Sequence, residues 1–125
     1  MSVEDIFPND GNAGIEIQNP SKNVFLVVLH RKHSLSDEFT AVNEIIAKHP
    51  SYHVIVDFIH IEIITSKVIS KLLELRKLMS ECKHRLILCN VSFATKCIFT
   101  VVGLKSKFEF ADDKFAALAA LEQTD

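Results

Sequence analysis

Val24-Phe25-Leu26-Val27-Val28-Leu29 is an unbroken apolar run rich in valine. A strand with one wet face alternates apolar and polar residues, so a run without alternation fits a strand covered on both faces. Val54-Ile55-Val56 and Leu86-Ile87-Leu88-Cys89 are shorter runs of the same kind. Between these runs the apolar period changes from two to that of a helix. After the first, Phe39, Val42, Ile45 and Ile46 recur at helical spacing, with Ser36 as N-cap, Asp37 and Glu38 in the first turn and His49-Pro50 at the close. After the second, Ile59 to Ile64 alternates loosely, with His60 and Glu62 as its polar members. Thr65 or Ser66 then caps a helix with Val68, Ile69, Leu72, Leu73 and Met79 on one side and Lys67, Lys71 and Glu74 on the other. Lys83, His84 and Arg85 lie at its C-terminal end, where cations suit the helix dipole.

The remaining segments complete the pattern. Ile15-Glu16-Ile17 alternates with period two, and the turn chemistry of Asn19-Pro20-Ser21-Lys22-Asn23 joins it to the first run as an antiparallel edge strand. Ser92 caps a third helix with a stripe of Phe93, Ala94, Cys97, Ile98, Val101 and Val102, stopped by Gly103. Phe108-Glu109-Phe110 reads as a last short strand. Asp112 caps a final helix that turns Phe115, Leu118 and Leu121 inward. The order β-β-α-β-α-β-α-β-α predicts an α/β domain with a largely parallel sheet and right-handed crossovers. At 125 residues the chain is one domain's worth, large enough to fold on its own core. The predicted domain spans 15–122, and residues 1–14, which hold two of the three glycines, read as an N-terminal arm.

Composition excludes several classes of function. A net charge of −2 offers no basic excess for a nucleic-acid backbone, and Tyr 1 with Trp 0 offers no stacking platform for single strands. No apolar run approaches the roughly 20 residues of a membrane helix. The acidic start Met1-Ser2-Val3-Glu4-Asp5 lacks a signal peptide's basic region, so a cytoplasmic protein is expected. Cys82, Cys89 and Cys97 have no CxxC spacing and read as reduced thiols. The sequon at Asn90-Val91-Ser92 is then a chance match.

Motifs for catalysis are missing: there is no G-x-G-x-x-G, no phosphate-binding loop and no G-x-S-x-G elbow. His30 and His33 have no third ligand at a useful spacing, so no metal or cofactor is expected. His60 and Glu62, two apart, read as the polar face of a strand edge. Asp57, His60 and Cys89 lie at the sheet's C-terminal edge, the minority case for a small enzyme or ligand binder. Lys67, Lys71, Lys96, Lys105 and Lys107 read as solubilising charge, with a docking patch for an acidic partner as the less favoured reading.

From Val54 to Leu121 the chain resembles a STAS domain, the fold of anti-sigma-factor antagonists. The resemblance rests on Val54-Ile55-Val56-Asp57-Phe58, Ile63-Ile64-Thr65-Ser66-Lys67-Val68, Leu86-Ile87-Leu88-Cys89-Asn90-Val91-Ser92, Val102-Gly103-Leu104, Phe108, and Asp112-Asp113 through Ala119-Ala120-Leu121. It implies a SpoIIAA-like fold, with a mixed sheet of four to five strands and about four helices. It also implies a non-catalytic regulator whose partner is an anti-sigma factor, a serine kinase of the histidine-kinase-like ATPase type. In the family that kinase phosphorylates a Ser or Thr in an Asp-Ser-Ser-Gly sequence at a helix start, and the phosphate, with about −1.5 to −2 charges, ejects the domain. Aligned without gaps, Thr65 falls at the Asp, Ser66 at the first Ser, Lys67 at the usual phosphoacceptor and Val68 at the Gly. Lysine cannot take that phosphate, and valine lacks glycine's backbone freedom. The implied partner-binding segment is therefore Thr65, Ser66, Lys67, Val68 and Lys71; Ser66 or Thr65 reads first as an N-cap, with Ser66 as a substitute acceptor the less favoured reading. The alternative is a soluble STAS-like structural subunit of a transporter or signalling scaffold. A homodimer is compatible with either reading.

Overall fold

A computed structural model describes residues 15–30 and 35–122. Ten elements follow in order: β1 (Ile15–Ser21), β2 (Val24–Leu29), α1 (Leu35–Ala47), β3 (His53–Asp57), α2 (Ser66–Cys82), β4 (Leu86–Cys89), α3 (Phe93–Val101), a 3-10 turn (Lys105–Lys107), β5 (Glu109–Ala111) and α4 (Lys114–Glu122). The strands form one sheet in the order β1-β2-β3-β4-β5, antiparallel only between β1 and β2. This is the predicted α/β order, with five strands. The N-terminal arm, residues 1–14, lies outside the described residues, as does His33.

The unbroken apolar runs have a direct structural cause. In β2, Phe25, Val27 and Leu29 enter a core beneath α1 and α2, while Val24, Leu26 and Val28 enter a second core on the opposite face. Val54 and Val56 of β3 and Leu86 and Leu88 of β4 join the first; Ile55, Ile87 and Cys89 join the second. The second core is roofed by Ala117 and Leu121 of α4. Because successive side chains point to opposite faces, two covered faces require every position to be apolar. Each such side chain contributes about 1.5–3 kcal/mol on burial.

The details correct the sequence reading in five places. Strand β1 runs on through Asn19 and Pro20 with an irregularity between Gln18 and Ser21, so the turn shrinks to Lys22-Asn23. Pro20 is tolerated because an edge strand has one row of N–H groups facing away from the ladder. Ser36 is not a cap: α1 begins at Leu35, and the Ser36 carbonyl accepts the Thr40 hydroxyl. Residues 58–65 form a turn and loop instead of a strand edge, so His60 and Glu62 share no strand face.

The fourth correction concerns α3, which is rotated from the predicted stripe: Thr95 and Phe99 are buried, and Phe93, Cys97 and Val101 are exposed. The fifth is in α4, where Asp113, not Asp112, accepts the Ala116 N–H at 2.8 Å, and Phe115 points outward with Lys114 Nζ over its ring. Ser92 does cap α3, its hydroxyl accepting the Thr95 N–H at 3.1 Å, and Gly103 adopts φ +78°, where other residues are strained.

At the opposite edge of the sheet from the loop at 58–65, His53 is buried with its Nδ1 accepting the Arg85 backbone N–H at 2.9 Å. Burial, then the nearby His84 and Arg85, hold its pKa below the ordinary 6.5. A depressed histidine pKa gives stability that is complete above pH 6.5 and is lost as pH falls through the folded-state value, where the unfolded chain binds the extra proton. Urea unfolding from pH 7.5 downward is therefore expected to show stability falling below about pH 6.5. His53→Gln, which does not titrate, is expected to flatten that part of the slope. An equal slope in the two proteins would rule His53 out as its source.

Candidate functional site

Helix α2 begins with a side-chain cap. Thr65 has extended backbone geometry (φ −89°, ψ 164°), and its Oγ1 accepts the Val68 N–H at 3.3 Å, meeting one of the helix's unpaired donors. Val68 is buried, and it packs with Leu72, Leu75 and Met79 into the core under α2. The backbone here is plainly helical, with no positive φ at Val68. A β-branched residue is therefore accommodated at this position, and its buried side chain anchors the helix tip.

The cap and the anchor together push Ser66 and Lys67 outward. Both are exposed in the first turn of α2, and Lys67 forms no ion pair among the described residues. The first turn of α2 itself carries no acidic residue. Lys71, one turn on, differs: its Nζ is 3.3 Å from Glu74 Oε2, and its carbonyl accepts Asn43 Nδ2 at 3.2 Å, joining α2 to α1. The five predicted residues thus divide by role. Thr65 and Val68 build the helix tip, Ser66 and Lys67 present it, and Lys71 is tied laterally. The tip lines an open groove together with Leu35, Ser36 and Asp37 of α1 and Ile61 to Ile64 of the loop.

Two sets of contacts that sequence reasoning missed hold the loop leading to this tip. Asp57, buried at the end of β3, accepts both the Ile59 N–H and Asn90 Nδ2 through Oδ1, each at 3.0 Å. Asn90 reaches it from a left-handed backbone, φ 54°, a conformation asparagine tolerates better than most. Further along, the Glu62 carbonyl accepts the hydroxyls of Ser92 and Thr95 from the start of α3. The Asn90-Val91-Ser92 stretch carried the available signal: two of its three residues pin this loop. Ile59 and Ile63, by contrast, stand exposed on it.

The candidate residues at the C-terminal edge of the sheet have partners of other kinds. His60 is stacked on His30, ring centroids 4.6 Å apart, and His30 Nε2 lies 3.2 Å from Glu16 Oε1. Cys89 is buried, and desolvation, reinforced by Asp57 and Asp113, pushes its thiol up to about 12. A thiol held protonated near neutral pH is a poor nucleophile. Among the described residues no group of three or more His, Cys, Asp or Glu side chains is placed to hold a metal. No helix among them is long and apolar enough to cross a membrane.

Neither a scan against protein-family models nor a search of curated proteins finds a match. Solved structures do. An anti-sigma-factor antagonist (STAS) domain protein from Planctomyces limnophilus aligns with a TM-score of 0.78 at 18% identity, covering 89% of this chain and 100% of that one. A serine-to-glutamate variant of RsbS from Moorella thermoacetica aligns at 0.74 and 16% identity, over 88% and 96%. The anti-sigma factor antagonist SpoIIAA in its unphosphorylated form aligns at 0.69 and 14%, over 89% and 99%. The chain therefore has the SpoIIAA-like STAS fold along nearly its whole described length.

Proposed function

We propose that this chain is a non-catalytic regulator of the anti-sigma-factor-antagonist type, which acts in a bacterial cytoplasm by binding another protein. The partner is a serine kinase of the histidine-kinase-like ATPase type, or a scaffold that stands in its place. The docking surface is the tip of α2 with Ser66, Lys67 and the groove beside them. The observation that supports this reading is the placement of Lys67: exposed, without an ion pair among the described residues, in the first turn of a helix whose cap and core anchor are both in place. Where the family carries a hydroxyl that gains a removable negative charge, this chain carries a fixed positive one. Binding is then constitutive, since the residue at the switch position accepts no phosphate.

The test has two parts. Incubation with ATP and the candidate switch kinases encoded beside the gene is expected to give a stable complex and no added phosphate by intact mass. Lys67→Glu is expected to weaken that complex about tenfold or more, because it reverses charge at the contact, while Ser66→Ala leaves it intact. Equal binding by Lys67→Glu would remove this surface from the proposal. One added phosphate mapped to Ser66 or Thr65 would show that the switch has moved by a residue and that binding is not constitutive.

A further inference from the structure

Helix α3 carries one charge, Lys96, and that side chain lies over the ring of Phe110 in its own sheet, Nζ 6.0 Å from the centroid. The outward face of the helix is left without charge. Phe93, Cys97 and Val101 follow one another there at four-residue intervals, all exposed, Phe93 by 83% and Val101 by 85%. Val102, at the C-cap, is exposed beyond them. The stripe is about 12 Å long at the rise of an α-helix. Bulky apolar groups aligned in this way mark surfaces that another body covers.

The two ends of the stripe carry opposite charge. At the Phe93 end stand the exposed Glu62, whose carbonyl is bonded by Ser92 and Thr95, and the exposed Asp112, whose carbonyl accepts the Asn90 N–H at 3.2 Å. At the Val101 end stand Lys105 and Lys107, exposed on the turn after α3, joined by Arg76, whose Nε donates to the Lys107 carbonyl at 2.7 Å. From Val91 to Phe108 the chain has no acidic residue.

We propose that this stripe is a homotypic interface, on which a second copy of the chain packs its α3 antiparallel to the first about a two-fold axis beside Cys97. A two-fold contact must be self-complementary, residue i meeting j and j meeting i, and the stripe meets that condition twice. In shape, Cys97 is the midpoint, so Phe93 of each copy lies over the smaller Val101 of the other. In charge, the antiparallel arrangement sets Glu62 and Asp112 of each copy near Lys105 and Lys107 of the other, whereas a parallel one sets like on like. A uniformly acidic partner or an anionic lipid surface would instead be repelled at the Phe93 end. The stripe lies on a different helix from the α2 tip; Glu62 borders both surfaces, so Phe93→Asp and Val101→Asp, which lie outside the groove beside α2, test this proposal separately from that one. One short helix against its copy is at the small end of specific interfaces, under about 1,200 Å² in total, so the dimer forms reversibly with a dissociation constant of roughly 10–500 μM.

Sedimentation velocity on the full chain from about 5 μM to about 1 mM is expected to show a monomer–dimer equilibrium in that range. Phe93→Asp and Val101→Asp are each expected to weaken it about tenfold or more while leaving the monomer's melting temperature unchanged, since both side chains are exposed. Glu62→Lys is expected to weaken it, and adding Lys105→Glu to restore it. In a Cys82→Ser background, where Cys89 is buried, a short bis-maleimide is expected to join two chains through Cys97. That readout serves even where an aspartate variant fails to fold. A wild type monomeric to about 1 mM overturns the proposal, as does a dimer that Val101→Asp leaves unchanged or one that Cys97 fails to cross-link. A monomer that instead sediments with phosphatidylglycerol vesicles would assign the stripe to a lipid surface and equally overturn it.

Discussion

Phe99→Ala is expected to cost about 3–5 kcal/mol, a large fraction of the roughly 5–15 kcal/mol that holds a domain of this size together. Phe99 is fully buried, with its ring centroid 5.5 Å from Phe108, to which it is nearly parallel, and 5.8 Å from Phe110. Those contacts attach α3 to β5 and to the residue entering it. Truncation leaves a cavity between elements that have few other links, and α3 has no second buried aromatic to compensate. Thermal unfolding is expected to drop by about 6 °C or more, given about 2–8 °C per kcal/mol at this length. The informative control is Phe93→Ala on the same helix, measured below about 5 μM so that self-association is negligible. With Phe93 largely exposed, its loss is expected to shift unfolding by no more than about 0.5 kcal/mol. If Phe93→Ala were the more damaging of the two, the rotation assigned to α3 would be wrong, and the apolar stripe would face the core.

Asp57→Ala is expected to be the second large effect, at about 2–4 kcal/mol. The carboxylate is buried and receives two donors from different segments, Ile59 N–H and Asn90 Nδ2. Alanine leaves both without a partner, and an unmade bond at a half-buried donor costs about 1–3 kcal/mol. Release of the buried charge offsets part of this. Asp57→Asn, which keeps one acceptor oxygen, is expected to lose about half as much. The functional consequence follows from position: Asp57 holds the start of the loop that ends at the Thr65 cap. Hydrogen exchange at the Ile59 and Ile61 amides is expected to accelerate in Asp57→Ala beyond what global destabilisation explains. Unchanged local protection would show that the Glu62 contacts with Ser92 and Thr95 suffice to hold the loop.

The arrangement of charge at the α2 tip was legible from sequence because it depends on local rules. A threonine before a helical apolar period caps, and a residue two beyond the cap, out of phase with the apolar stripe, faces water. Thr65 and Lys67 obey both. The Asp57–Asn90 latch was not legible, because it joins residues 33 positions apart, and nothing in either neighbourhood marks the partner. Asp57 by itself reads equally well as the polar end of a strand or as part of a reactive edge. Its actual surroundings, a buried protonated thiol and two donors, answer that question through tertiary contacts.

Helix α3 shows where periodicity runs out. Its nine residues include one charge, so apolar side chains occur on almost every side and several rotations bury comparable area. Counting favours the larger stripe of Phe93, Ala94, Cys97, Ile98, Val101 and Val102. The structure buries the smaller face instead, because Ser92 and the polar Thr95 can satisfy the Glu62 carbonyl only if Thr95 points inward, and Phe99 one turn later then meets Phe108. Alternating apolar runs and helical periods were enough to determine the element order, the parallel sheet with an antiparallel edge, and the two covered faces, since these follow from which residues must leave water. Which side of a nearly uncharged helix faces in, and which distant polar groups lock the loop beside the α2 tip, were decided only when the chain closed on itself, because there hydrogen-bond satisfaction outweighs small differences in buried area.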